Sequence, residues 1–289
     1  MKVVRLEDVP QERRVHNQRQ GTFIYHRLVE GEPRTPGNFL FEIVETTTDF
    51  FSPRHRHNFD QFRYQLEGEF DFDRNGRMKP GTLGYFPEGT PYGPQTSSVR
   101  SLTLVLQFGG ASGNGYMTQR ELEAGTAELK TQGVFEKGVF RRNEDVDGKR
   151  NVDGYQAVWE FVNRRPMVYP KPRYHDPLMM DPASFEWLPL DGQPGVAEKP
   201  MGIFTERRTE ASFLRLDPGA RCKLHGRRLY FIIDGSGTAG GKPYARRTTV
   251  FCDSGEDAEL TATAPSELLV LGLPKFAASA RLPTASAAE

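Results

Sequence analysis

The chain carries two histidines, His55 and His57, in the segment Ser-Pro-Arg-His-Arg-His that begins at Ser52. On a strand, residues two apart point to the same face, so both rings are expected on one wall. Two imidazoles a few ångströms apart form half of a transition-metal site. The sequence leaves a second interpretation open, in which both rings hydrogen-bond inside a polar pocket that holds no metal.

A fixed spacing of polar residues and glycines follows the histidines. Gln61 comes four residues after the second histidine, and Gly68 comes seven residues after Gln61. Further along, Gly81 precedes the tripeptide Pro87–Gly89 by five intervening residues, and two more residues separate that tripeptide from Tyr92. The glycines indicate turns, and the polar residues between them are candidates for a common site.

This spacing resembles both motifs of the cupin superfamily, whose members are small β-barrels of the jelly-roll type. The resemblance implies that the metal ligands are His55, His57, Gln61 and Tyr92. Glutamine stands where the family has glutamate, and tyrosine stands where it has histidine. A neutral amide is a weak ligand, and a phenol ligates well only after losing a proton whose ordinary pKa is about 10.

The resemblance also implies a cofactor and a class of reaction. We expect a divalent transition metal, with iron as the first candidate and manganese, nickel or zinc as alternatives. The open coordination positions suit a catalytic metal better than a structural one. The implied function is a dioxygenase-type oxidoreductase acting on a small aromatic or carboxylate-bearing substrate. Decarboxylation and isomerisation stay open, because a fold does not fix a function. The alternative is a non-catalytic small-molecule-binding cupin without metal.

The predicted strand Gln61–Leu66 adds further polar residues to the interior. If Gln61 faces inward, the period of two places Arg63 and Gln65 on the same wall. Both are predicted to bind substrate, with Arg63 orienting a carboxylate bidentately. Tyr92 is the candidate general acid, so Arg63 and Tyr92 are the predicted catalytic residues.

Both faces of this strand require partners. The alternative for Arg63 is an internal ion pair with Glu42 or Asp60, because a buried guanidinium needs an anionic partner. The opposite face is apolar and needs cover from a second barrel or a second subunit, which predicts a homodimer. The side chains on that face are Phe62, Tyr64 and Leu66.

The chain contains this unit twice. The segment Arg228–Gly235 resembles the segment that starts at Gln61, and His225 precedes it as the first histidine does in the leading copy. Arg227 then stands where the second histidine would be, and Ala258 stands in the position of the last ligand. One imidazole among arginines will not hold a divalent cation, so the second copy is expected to be structural.

We therefore predict an all-β chain, a bicupin of two tandem jelly-roll barrels with a short helix in the connection. The N-terminal barrel spans residues 1–130, the degenerate C-terminal barrel spans 131–275, and 276–289 form a loose tail. Thr118 and Glu121 fit a capping box and predict the start of that helix. The apolar run Tyr155–Val162 is predicted to be a strand.

Composition excludes several classes of protein. The 38 basic and 38 acidic residues give a net charge of zero, which argues against a nucleic-acid partner held by bulk charge. No apolar run approaches the length of a membrane helix, and no secretory signal is visible at the N-terminus. Two cysteines are too few for a disulfide framework, so the expected location is cytoplasmic and the expected partner is a small-molecule substrate.

Overall fold

A computed structural model describes residues 1–15, 22–73, 76–136, 138–146 and 148–277. Through residue 108 the strands are β1 (Lys2–Arg5), β2 (Gln11–Val15), β3 (Thr22–Glu30), β4 (Phe39–Thr46), β5 (Phe50–Ser52), β6 (Asp60–Glu67), β7 (Phe70–Asp73), β8 (Gly76–Met78), β9 (Leu83–Phe86), β10 (Gln95–Ser97) and β11 (Ser101–Phe108). Short 3-10 helices occupy Leu6–Asp8 and Pro182–Ser184.

The connection contains α1 (Gln119–Leu129), β12 (Gly133–Glu136), β13 (Val139–Val146), β14 (Lys149–Asp153) and α2 (Gly154–Asn163). The remaining strands are β15 (Leu178–Met180), β16 (Leu188–Pro189), β17 (Val196–Ile203), β18 (Glu210–Leu216), β19 (Arg221–His225), β20 (Arg228–Asp234), β21 (Gly237–Ala239), β22 (Lys242–Tyr244), β23 (Thr248–Cys252), β24 (Asp257–Ala262) and β25 (Ser266–Gly272).

Each half of the chain contributes one seven-stranded and one four-stranded antiparallel sheet. The first pair has the orders β15-β9-β6-β11-β4-β3-β2 and β5-β10-β7-β8. The second pair has the orders β1-β23-β20-β25-β18-β17-β16 and β19-β24-β21-β22. This doubled arrangement confirms the predicted all-β class with two tandem barrels. Two strands cross between the halves, since β1 pairs with β23 and β15 pairs with β9.

The two seven-stranded sheets pack against each other through their apolar faces. Phe62 on β6 lies with its ring centroid 5.3 Å from that of Phe204, and Tyr64 lies 5.7 Å from Phe213 on β18. These aromatic contacts belong to one buried cluster that spans both halves of the chain. The outer face of β6, predicted to need cover, is therefore covered by the second barrel of the same chain.

The interior of the second barrel is filled with apolar side chains. Its buried cluster includes Leu214, Leu224, Tyr230, Ile232 and Leu260. Tyr230 and Ile232 stand at the repeat positions that correspond to Arg63 and Gln65 in the first copy. The barrel interior that carries polar groups is therefore the one in the first half of the chain.

The connection holds one helix that was expected and one that was not. The Thr118 side chain accepts a hydrogen bond from the Glu121 backbone amide at 3.2 Å, so the predicted capping box starts α1. The predicted strand Tyr155–Val162 is wrong, because these residues form α2. Asp153 caps this helix by accepting from the backbone amide of Gln156 at 2.9 Å, which an aromatic and β-branched composition did not reveal.

Candidate functional site

The two histidines lie in the segment between β5 and β6. The expected strand is absent there among the described residues, and His55 instead forms an isolated antiparallel bridge with Tyr92. The backbone hydrogen bonds of this bridge measure 3.0 and 2.9 Å. The rings of His55 and His57 nevertheless lie together, with centroids 4.8 Å apart. The bridge brings the Tyr92 ring centroid to 4.7 Å from that of His55.

Two glycines of the motif fix this geometry. Gly89 has φ +80°, and a Cβ there would lie 2.3 Å from the carbonyl oxygen of Pro170. Its amide donates to the backbone oxygen of His57 at 2.8 Å. Gly68 has φ +65°, and a Cβ there would lie 2.2 Å from the carbonyl oxygen of Arg100. Only glycine fits either position without displacement of the backbone, which explains both motif glycines.

A hydrogen bond orients the first imidazole. The Nδ1 atom of His55 lies 2.6 Å from the backbone oxygen of Pro53. A carbonyl oxygen only accepts, so Nδ1 is the donor and the lone pair of the neutral ring lies on Nε2. The ring centroid of His57 lies 4.4 Å from that of Phe59, with the two rings tilted by 33°, which places the imidazole against the apolar wall of the barrel.

Arg63 connects two of the predicted metal ligands. Its Nε and Nη2 atoms donate to Oε1 of Gln61 at 2.9 and 2.8 Å. Nη2 also donates to the Tyr92 hydroxyl at 3.0 Å. The guanidinium carbon lies 4.4 Å from the centroid of the Phe86 ring, a cation–π contact. Gln61 and Tyr92 are 0% and 1% exposed, so the arginine head is held within a buried set of acceptors.

The predicted four-ligand set does not fit a divalent metal in this arrangement. The oxygens of Gln61 and Tyr92 both face a guanidinium, which is itself a cation and excludes a second cation from the same acceptors. Among the described ranges of the chain, no group of three or more histidine, cysteine or acidic side chains is placed to hold a metal. The rings of His55 and His57 remain as a pair of imidazoles.

The structure places Gln65 inside the barrel wall but commits its amide to neighbouring groups. Nε2 donates to the backbone oxygens of Glu67 and Gly68, at 2.8 and 3.2 Å. Oε1 accepts from the hydroxyl of Thr103 at 2.9 Å. These bonds brace the end of β6, and a role of Gln65 in substrate binding stays a prediction.

The two acids considered as partners of Arg63 have other surroundings. Asp60 accepts from the Tyr85 hydroxyl at 2.9 Å and from the Glu88 amide at 2.7 Å. Burial, followed by the nearby charge of Glu88, raises the pKa of Asp60 to about 7. Glu42 lies on β4 and points into the barrel. Neither acid is hydrogen-bonded to Arg63 within the part of the chain that the structure describes.

The first barrel contains a cavity of about 560 Å³. Residues of α1 and α2 line one side of it, so the connection helices cover the barrel interior. Its apolar wall includes Phe23, Leu40, Phe50, Phe59, Phe70 and Val105. Its polar wall includes Glu42, His57, Arg63, Gln95 and Thr103. An apolar cavity with a few convergent polar groups is the usual form of a small-molecule site.

Three cavity residues were not predicted as site residues. Glu42 is 5% exposed, and no hydrogen bond or ion pair reaches its carboxyl group within the described residues. Burial raises its pKa to about 8, against the opposing effect of Arg27 and Arg14. Nε2 of Gln95 and the hydroxyl of Tyr155 are buried, and each lacks a partner in the described part of the chain. A lone acid within the apolar run Phe39–Val44 was the sequence signal for Glu42.

The second copy of the motif is engaged internally. The Nη1 atom of Arg228 lies 3.0 Å from Nε2 of His225, and its Nε atom donates to Glu210 at 2.9 Å. This pairing uses the one histidine of the copy in a contact with an arginine. The structural role expected for the second barrel stays a prediction.

Solved structures of similar fold cover nearly the whole chain. A proposed dioxygenase from Nostoc punctiforme has a TM-score of 0.61 at 10% identity, covering 99% of this chain and 87% of that chain. A proposed glyoxylate-induced protein from Pseudomonas aeruginosa has a TM-score of 0.58 at 11% identity, covering 97% and 90%. Oxalate decarboxylase from Bacillus subtilis, in a study of its Mn(II) centres, has a TM-score of 0.52 at 15% identity, covering 95% and 78%.

These similarities confirm the predicted fold of two tandem jelly-roll barrels. No protein-family model and no curated protein sequence matches the chain. Similarity at 10 to 15% sequence identity shows a shared fold. The activity has to be inferred from the residues of the site. Neither helix in the described residues is long and apolar enough to cross a membrane.

Proposed function

We propose that the first barrel binds a small carboxylate-bearing molecule, with Arg63 holding the carboxylate and without a requirement for a divalent metal. The observation that carries this proposal is the guanidinium on the wall of the cavity, positioned by Gln61 and Tyr92. Gln61 and Tyr92 are neutral, so these hydrogen bonds orient the guanidinium without adding negative charge at their own positions. A guanidinium binds a carboxylate through charge-assisted hydrogen bonds.

The remainder of the cavity supports an aromatic or apolar body on this ligand. Phe50, Phe59 and Phe70 line the wall and offer ring faces and edges for stacking. The second barrel has a filled interior and serves as a structural partner in this proposal. The proposed function is therefore that of a small-molecule-binding cupin, the alternative that the sequence left open.

Calorimetric titration with benzoate and phenylacetate tests the proposal, with benzamide as the uncharged comparison. Arg63→Leu is expected to weaken carboxylate binding by roughly tenfold to a hundredfold, the usual loss for a charged hydrogen bond. Arg56→Leu is the matched control, because Arg56 is exposed and stacks at 4.0 Å over Tyr169. Equal affinity of the wild type for benzoate and benzamide, or an unchanged affinity in Arg63→Leu, contradicts the proposal.

A second candidate is a metal-dependent enzyme, an oxidoreductase of the dioxygenase kind. It is favoured by the paired rings of His55 and His57 and by the Mn(II) centres of the oxalate decarboxylase of similar fold. Under this candidate the imidazoles hold an iron or manganese ion that supplies redox or Lewis-acid chemistry when bound. It requires Arg63 to leave its acceptors, because the guanidinium repels the ion.

Elemental analysis of protein purified without chelator separates the two candidates. The metal-dependent candidate expects stoichiometric iron or manganese that disappears in the double variant His55→Ala/His57→Ala. It also expects Arg63→Leu to bind added Fe(II) or Mn(II) more tightly than the wild type does. Wild-type protein that takes up neither ion when it is supplied in excess excludes this candidate.

We also propose that the protein forms a homodimer, as expected from the sequence. The apolar face of β6 that suggested it packs on the second barrel, so any subunit contact would use another surface. Light scattering across a range of concentrations measures the assembly. A mass of one chain at all concentrations rules the dimer out.

A further inference from the structure

The cavity holds a second set of polar groups away from Arg63. The Glu42 carboxyl group lines the cavity and makes no hydrogen bond within the described residues. The Tyr155 hydroxyl is buried and has no partner there either. Tyr155 packs against the buried cluster of Leu40, Phe59 and Tyr116, and Leu40 is two residues before Glu42 on β4. Glu42, Tyr116 and Tyr155 all line the same cavity. A buried polar group without a partner costs free energy, so these two are candidates for ligand recognition.

Strand register fixes where this set stands relative to Arg63. Val105 on β11 is paired with Glu42 on one side and with Arg63 on the other. Glu42 and Arg63 therefore stand at the same level on the two strands that flank β11, with backbones about 10 Å apart. Both side chains line the same cavity. A ligand held by its carboxylate on Arg63 thus has a second polar contact within reach along the sheet.

The chemistry of the second set selects the complementary group. Arg27 on β3 lies opposite Glu42 on β4 in the strand register. The Arg27 guanidinium forms an ion pair with Glu12, with an N–O distance of 3.2 Å. Burial favours the protonated form of Glu42, and a protonated carboxyl both donates and accepts. The Tyr155 hydroxyl likewise donates and accepts. A ligand hydroxyl is the group that matches both, since it offers one donor and two acceptor positions.

We propose that the cavity selects hydroxy-substituted carboxylic acids, with the carboxylate on Arg63 and the hydroxyl bound between Glu42 and Tyr155. This inference rests on the proposed function and names its substrate class. Tyr155 belongs to α2, so the connection between the barrels contributes directly to specificity. Glu42 and Tyr155 are specificity-determining residues in this account, and no covalent step is assigned to either.

Paired probes test the selection by calorimetry on the full chain. The probes are para-hydroxybenzoate against benzoate and para-hydroxyphenylacetate against phenylacetate. Of the two hydroxylated acids, we expect the wild type to bind at least one about tenfold more tightly than its parent acid, because a buried hydrogen bond contributes about that much. Glu42→Leu is expected to abolish this preference and to leave the affinity for the parent acid within about twofold, because Arg63 is retained.

Two further variants keep the result interpretable. Glu42→Gln retains a donor and an acceptor and is expected to keep most of the preference, which covers the case in which Glu42→Leu does not fold. Tyr155→Phe is expected to lose part of it. Glu45→Gln is the matched control, because Glu45 lies on the same strand and pairs with Arg100 outside the cavity.

The outcomes separate this inference from the proposed function. Parent acids that bind through Arg63 with no hydroxyl preference, or a preference that survives in Glu42→Leu, overturn the inference and leave the proposed function standing. A wild type that binds none of the four acids overturns both.

Discussion

At the scale of single residues, Arg63 accounts for both departures from the cupin motif. A guanidinium needs acceptors without competing positive charge, and an amide oxygen and a phenol oxygen provide them. Gln61 and Tyr92 stand where the motif has glutamate and histidine, and Arg63 donates to both. Gln61, Arg63 and Tyr92 thus form one hydrogen-bonded set.

Gln61→Glu tests this interpretation. The new carboxylate is expected to form an ion pair with Arg63 and to compete with an added ligand for its charge. Binding of benzoate should fall by about tenfold, measured by calorimetry, whereas Gln61→Met should leave the charge available and bind at least as well as Gln61→Glu. Unchanged benzoate binding in Gln61→Glu would show that the ligand carboxylate lies elsewhere.

The buried Glu42 carboxyl predicts how stability depends on pH. Burial raises its folded-state pKa from 4.5 to about 8, so the folded state keeps a proton that the unfolded state has released. The contribution is therefore fully present below the unfolded pKa of 4.5 and is lost as the pH rises to 8. Asp60, also buried with a raised pKa, acts in the same direction.

Glu42→Gln removes the titrating carboxyl group and is expected to reduce the loss of stability as the pH rises. The free energy of unfolding, measured with urea from about pH 5 to pH 8, should fall less in the variant than in the wild type. The variant should gain most over the wild type near the upper end of that range. Parallel pH profiles for the two proteins would show that Glu42 ionises normally in the folded chain.

At the scale of elements, the sequence predicted the features that depend on residue spacing and on capping residues. Motif spacing brought His55, Gln61 and Tyr92 into one site, and the capping box at Thr118 placed the start of α1 correctly. The prediction of a strand over Tyr155–Val162 was wrong because composition favoured β-structure, while packing of one face in the connection cluster favoured a helix. Contacts made through Arg63 depend on side-chain geometry that spacing does not contain.

The cap of α1 gives a prediction about this element. Thr118→Ala removes the acceptor for the Glu121 amide and is expected to lower the free energy of unfolding by about 1 kcal/mol. Because α1 lines the cavity, benzoate binding should weaken as well. Thr118→Ser keeps the acceptor and serves as the control. Equal stability of the alanine and serine variants, measured with urea, would mean that the cap is dispensable.

At the scale of the whole molecule, the two barrels divide their roles. The second fills its interior with apolar side chains, and its large sheet covers the apolar face of the first. The first keeps a cavity in its interior, which lowers the apolar area packed in its own core. The shared cluster between the sheets therefore stabilises both halves together.

Phe213→Ala tests this shared core. Phe213 is 1% exposed and packs on Tyr64 of the first barrel, so truncation is expected to cost about 3–5 kcal/mol. The loss should appear in the unfolding of both barrels and should weaken benzoate binding. Leu260→Ala, inside the second barrel, is the comparison expected to leave the cavity of the first barrel intact. Unaltered stability in Phe213→Ala would contradict coupling through this face.

The pairing of β1 with β23 has a consequence for how the protein can be divided. Lys2–Arg5 lies antiparallel to Thr248–Phe251 along its full length, and β1 is the edge of that sheet. During synthesis β1 therefore has no pairing partner until β23 has been made. In a fragment that contains only the C-terminal half, β23 would become the edge strand of its sheet. Its unpaired backbone groups could then pair with a strand of another molecule. A recombinant version of the second barrel alone should therefore include the sequence of β1.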